Sequence, residues 1–178
     1  MRVPSRITIA IDEKTAELLE KTRNELKISQ SELVRRALNF YYKYKDIVSK
    51  VEFDRLLTYL DMLPNGEHII LDVDHWLSML KLLENNEEFW KVHDEVSSAH
   101  AETLPKQIKS PVEFLKRLEA CNFYSLNAET PNHFTLILGS DIPKKFLTVL
   151  IEKVISAMGF DIEIKEGIAK LRIKIEKK

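Results

Sequence analysis

The chain is poor in residues that cross-link or loosen a fold. It has one cysteine, Cys121, in 178 residues, so no disulfide can close within it, and a reducing compartment is the expectation. Four glycines and six prolines leave little room for long flexible linkers. No apolar run approaches the roughly 20 residues that cross a bilayer, so no membrane association is expected. Met1-Arg2-Val3-Pro4-Ser5 has no apolar signal-peptide core, which points to a cytoplasmic protein. Common catalytic motifs are missing too: there is no Gly-rich phosphate loop, no Gly-x-Ser-x-Gly elbow and no His-Glu-x-x-His. Carboxylates are plentiful, but they fall on helix faces where solvated charge pairs are expected, so no enzyme is predicted.

The 44% apolar and 31% charged residues are ordinary for a soluble globular protein. The net charge of −1 hides an asymmetry: residues 1–50 carry 11 Lys and Arg against 7 Asp and Glu, and residues 51–178 carry 16 against 21. A basic front end on an acidic body suits docking of a polyanion through one end. At that end, Arg6-Ile7-Thr8-Ile9-Ala10-Ile11 places isoleucine at every second position. An extended chain here has one apolar face and one face carrying Arg6, Thr8 and Ala10. Asp12 and Glu13 then start a helix whose apolar positions are Ala16, Leu18, Leu19 and Leu26. Ser29 starts a second helix, with Glu32 as its capping-box partner and Leu33, Val34, Ala37, Leu38 and Tyr41 at helical spacing.

A lone six-residue strand needs a second edge, and the same strand of another chain is the nearest candidate. Paired antiparallel, two copies make a ribbon whose width fits the DNA major groove. The stretch resembles the ribbon-helix-helix family of dimeric DNA-binding proteins, the group of Arc, MetJ and CopG. The likeness rests on Arg6–Ile11 as the strand, Ile28-Ser29-Gln30-Ser31-Glu32 at the second turn, and Leu33-Val34-Arg35-Arg36-Ala37-Leu38 in the second helix. It spans residues 3–48 and departs from the family at Leu26-Lys27-Ile28, where a glycine is common.

The expected fold class is therefore α+β: a ribbon-helix-helix domain over 1–48, obligately dimeric, a helical connector over 49–66, and an α+β domain over 67–178. Asn39 to Val48 continues the second helix, and Ser49 starts a segment through Phe53, Leu56, Leu57, Leu60 and Leu63. Pro64-Asn65-Gly66 is a turn. Glu67 to Val73 reads as a strand, Asp74 as a helix cap, and Glu87 to about Ala101 as a helix. A polar connection covers 102–109. Ser110-Pro111-Val112-Glu113 is a strong helix start. A hairpin follows over 123–138, then a helix from Pro143 to Met158 closed by Gly159, then a hairpin with its turn at Glu166-Gly167. This helix-hairpin-helix-hairpin order resembles, in pattern only, the C-terminal portion of vinyl-reductase-type small-molecule-binding domains, without the cysteines common there.

Expected base contacts are Arg6, Thr8 and Ala10. Arginine can hold guanine through O6 and N7, and threonine offers a hydroxyl and a methyl, whereas Ala10 allows close approach. Ser29, Gln30 and Ser31 surround the positive end of the second helix, a phosphate site, with Arg35 or Arg36 one turn further and Arg2 and Lys14 as additional candidates. Plain capping by Ser29 and a solvated strand face are the alternatives. His68, His75, His93, His100 and His133 lack the close His-x-His spacing of nickel-responsive relatives, so no metal ligand is assigned and no cofactor is named. Expected partners are double-stranded DNA, a second copy of the chain or a higher homo-oligomer, with a small-molecule effector as a further candidate. An antitoxin or other interaction module, its C-terminal part holding a partner protein, is the alternative function.

Overall fold

A computed structural model of the chain describes residues 6–64 and 68–178. The chain divides into two units, residues 1–52 and 53–178. The first has two helices, α1 (Glu13–Leu26) and α2 (Gln30–Val48). Asp12 caps α1, its carboxylate accepting from the Thr15 N–H at 2.7 Å, and Ser29 caps α2 by accepting from the Glu32 N–H at 3.2 Å. Lys27 ends α1 in the left-handed region at φ 53°. A lysine stands where a glycine would relax the turn, at a cost of about 1 kcal/mol. Neither helix contains a buried residue.

The second unit runs α3 (Phe53–Met62), α4 (Val73–Leu82), α5 (Glu87–Gln107), α6 (Pro111–Ala120), β1 (Ser125–Thr130), β2 (His133–Ile137), α7 (Lys144–Ala157), β3 (Phe160–Gly167) and β4 (Lys170–Lys177). The strands form one antiparallel sheet of order β1-β2-β4-β3. Strand alternation sends Phe134, Leu136, Leu171, Ile173 and Ile175 to one face, where all five are buried. Against them α7 sets Leu147, Leu150, Ile151, Val154 and Ile155, an i, i+3, i+4, i+7, i+8 stripe. Phe114, Leu115 and Leu118 of α6 complete the core. Each such side chain contributes about 1.5–3 kcal/mol through burial. The Tyr124 hydroxyl, buried beside them, donates to the Leu115 carbonyl at 2.9 Å.

Several local expectations hold. Ser110 caps α6 with Pro111 at its first position, and Gly159 follows α7 at φ 85°. Others change. Residues 68–72 are exposed and belong to no strand; the sheet is built from residues 125–177 alone, and its edge strands β1 and β3 do not pair with this apolar run. Glu67 and the expected turn residues Asn65 and Gly66 lie outside the described residues. The cap of α4 is Asp72, which accepts from the N–H groups of Asp74 and His75, not Asp74 itself. α5 continues past Ala101 through Pro105 to Gln107, the proline costing only the bond to the Ala101 carbonyl close to the helix end. The final hairpin turns at Ile168-Ala169, with Gly167 paired to Lys170. That register lengthens the ladder and sets Ile162 opposite Ile175, while Ile168 is 88% exposed at the tip rather than in a strand.

Candidate nucleic-acid interface

Residues 6–12 precede α1 without a hydrogen-bonded neighbour strand. A strand was expected here, and within a single chain none forms, since a strand exists only against a second edge. The side chains of Ile7, Ile9 and Ile11 are 78%, 62% and 43% exposed. Arg6, Thr8 and Ala10, the three expected base-reading residues, are exposed as well. Isoleucine surface of this extent, in a unit whose helices bury nothing, is apolar area left without a cover.

The start of α2 is held by side chains of both helices. The Gln30 amide donates to the Glu20 carboxylate at 2.7 Å, across ten residues of sequence. Arg23 donates to the same carboxylate at 2.7 Å. These two donors hold the Glu20 carboxyl below the ordinary glutamate range, Arg23 more than Gln30. Glu20 thereby ties the C-terminal half of α1 to the first residue of α2. Ser31 is exposed, and the N–H groups of Gln30 and Ser31 lie in the helix's first turn, where they have no intrahelical acceptor. Ser29 uses its own oxygen on the Glu32 N–H.

Glu32 does not complete the expected capping box. Its carboxylate accepts from Arg35 Nη2 at 2.6 Å and from Arg36 Nε at 2.8 Å, one turn forward rather than back toward Ser29. Both arginines lower the Glu32 carboxyl from its ordinary value, Arg35 first. The spacing i, i+3 and i, i+4 carries this signal in the sequence. Arg35 and Arg36 therefore share one exposed counter-ion. Such pairs are weak in water and exchange readily for another anion. Lys14 is exposed in the first turn of α1, and Arg2 lies outside the described residues.

Among the described residues, no group of three or more His, Cys, Asp and Glu is gathered as a metal site would require. Nor, among them, is any helix long and apolar enough to cross a membrane. The class of the N-terminal segment follows from a comparison with known families: residues 5–45 match the family model described as ribbon-helix-helix protein, copG family. The match takes in the extended segment, α1 and most of α2, and it covers about a quarter of the chain. No curated protein and no solved structure matches the chain.

Proposed function

We propose that the protein is a homodimeric, sequence-specific DNA-binding transcriptional regulator. In this reading the segments 6–11 of two chains pair antiparallel into a ribbon. The observation that carries it is the alternation of uncovered Ile7, Ile9 and Ile11 with exposed Arg6, Thr8 and Ala10, ahead of two helices that bury nothing. A unit this small without buried side chains lacks the core to hold itself together, and a second copy supplies the missing cover. The match of residues 5–45 to the ribbon-helix-helix family supports the same arrangement.

With the isoleucines turned inward, the opposite ribbon face brings two copies each of Arg6, Thr8 and Ala10 to the major groove. The first turn of α2 faces phosphate with the N–H groups of Gln30 and Ser31, and the capping oxygen of Ser29 keeps that turn intact. Arg35 leaves Glu32 for a phosphate at little cost, since the exposed pair it gives up is weak. The second unit binds an effector or joins dimers side by side. An antitoxin whose tail orders only on its partner fits less well, because residues 53–178 enclose a core of their own.

The test is the double change Arg6→Ala, Thr8→Ala. Losing one good contact to a base costs about 1–3 kcal/mol of discrimination. Preference for selected over random DNA should therefore collapse in a binding titration, while sedimentation still shows a folded dimer. Unchanged selectivity would discard ribbon readout.

A further inference from the structure

The second unit contains a cavity of about 260 Å³, open to solvent on the side of the exposed Ile69 and Ile70, between α3, the segment leading into α4, the end of α6 and the start of α7. Aromatic rings form its best-defined walls. The Trp76 ring stands edge-on to Phe123, with centroids 5.1 Å apart at 84°, and edge-on to Phe146 at 5.7 Å and 84°. Phe123 and Phe146 lie nearly parallel to each other, 15° apart in plane. Packed against one another in this way, the three rings form an aromatic wall against which another flat ring can lie. Met62, Leu71 and Val73 supply aliphatic surface.

Among the described residues, no aspartate, glutamate, lysine or arginine lines this space. Its polar lining comes from Cys121, Tyr59, His68 and Asn122. Burial pushes the Cys121 thiol and the Tyr59 phenol above their ordinary pKa values, so neither carries charge at neutral pH. The His68 ring sits with Nδ1 3.3 Å from the Met62 carbonyl, which can only accept, so in the neutral ring Nε2 remains an acceptor. An ion entering here would shed hydration with no charged side chain among the described lining residues to replace it, the nearby Arg55 guanidinium being engaged on the Asn122 amide oxygen at 2.8 Å. Scaled from an apolar cavity of about 150 Å³ that takes benzene, the volume suits about ten non-hydrogen atoms.

The geometry points to a site for a small, uncharged aromatic or heteroaromatic ligand, lying against the cluster of Trp76, Phe123 and Phe146 and able to donate one hydrogen bond. The site stands on the cavity alone; that its ligand is an effector of DNA binding rests on the regulator reading above.

The test uses the full chain with indole as the probe and benzoate as a charged comparator of similar size. Cys121 is the single cysteine, so its rate of alkylation by iodoacetamide reports on the cavity. Indole should bind saturably by calorimetry, one per chain, and slow Cys121 alkylation several-fold, whereas benzoate should do neither. Val73 is exposed at the first position of α4 and lines the cavity. The change Val73→Trp should therefore fill the space, keep the melting temperature and weaken indole by about tenfold or more, some 1.4 kcal/mol. No saturable indole binding, equal binding of benzoate, or undiminished affinity in Val73→Trp would each overturn the proposal. These readouts involve no DNA. Failure of the Arg6→Ala, Thr8→Ala test would remove the regulator reading and leave the cavity standing, and the reverse holds equally.

Discussion

Helices α1 and α7 are both 14 residues long and both amphipathic, yet α7 has five buried residues and α1 has none. α7 lies on a four-stranded sheet and against α5, so its stripe from Leu147 to Ile155 meets other apolar surface within the same chain. α1 has only α2 to meet in its unit, and Leu18 and Leu26 remain more than half exposed. A helical pattern states which face must be covered; what covers it is a separate matter. In the second unit the answer is the chain itself. In the first, on the reading proposed here, it is another copy.

That contrast can be broken most severely at Ile9. The change Ile9→Asp places two carboxylates in the apolar layer beneath the proposed ribbon, where a charge has no partner. Dimer and DNA binding should both be lost by sedimentation and titration, while the second unit keeps its own melting transition. A DNA-binding dimer that survives this change would falsify the intermolecular ribbon. The complementary change is Leu115→Ala, at a side chain with no exposure. It should lower the stability of the second unit by about 2–5 kcal/mol, read by denaturant unfolding, and leave DNA binding at low denaturant untouched.

Smaller effects sharpen the comparison. Lys27 and Ala169 each hold a left-handed backbone with a side chain, at φ 53° and 49°. Replacing each with glycine should stabilise by about 1 kcal/mol or less, the relief of strain being partly offset by a looser unfolded chain. Lys27→Gly should shift the concentration-dependent transition of the dimer, and Ala169→Gly only that of the second unit.

The gentlest test is pH. His93 is buried, its Nε2 3.0 Å from the Phe146 carbonyl and its ring stacked 3.9 Å from that of Phe146. Burial lowers its pKa below the ordinary 6.5, against the opposing pull of the Phe146 carbonyl and of Asp94. The unfolded chain therefore binds this proton first as pH falls. The stability of the second unit should be full above about pH 6.5 and decline below it, toward the lower folded pKa. His93→Phe should flatten that part of the stability profile measured by urea titration.

Much was legible in the residues themselves. Asp12, Ser29 and Ser110 mark helix starts, and Gly159 a helix end, because a cap is a bond or a dihedral within about three residues. The stripes of α1, α2 and α7 are likewise local, as is the alternation of Arg6 to Ile11 that brought the DNA-contacting candidates forward. The apolar run at Ile69-Ile70-Leu71 could not be placed in this way. It has the composition of a strand, but a strand is a relation between two edges, and this run pairs with neither edge of the sheet.

The same limit explains the rest. Sequence by itself determined where helices begin and stop, which faces are apolar, and that residues 6–11 alternate. Only the tertiary structure decided the register that moved the last turn to Ile168-Ala169 and the meeting of Trp76, Phe123 and Phe146 around one cavity. Those choices depend on groups distant in the chain competing for the same neighbour, and no window of a few residues contains both competitors.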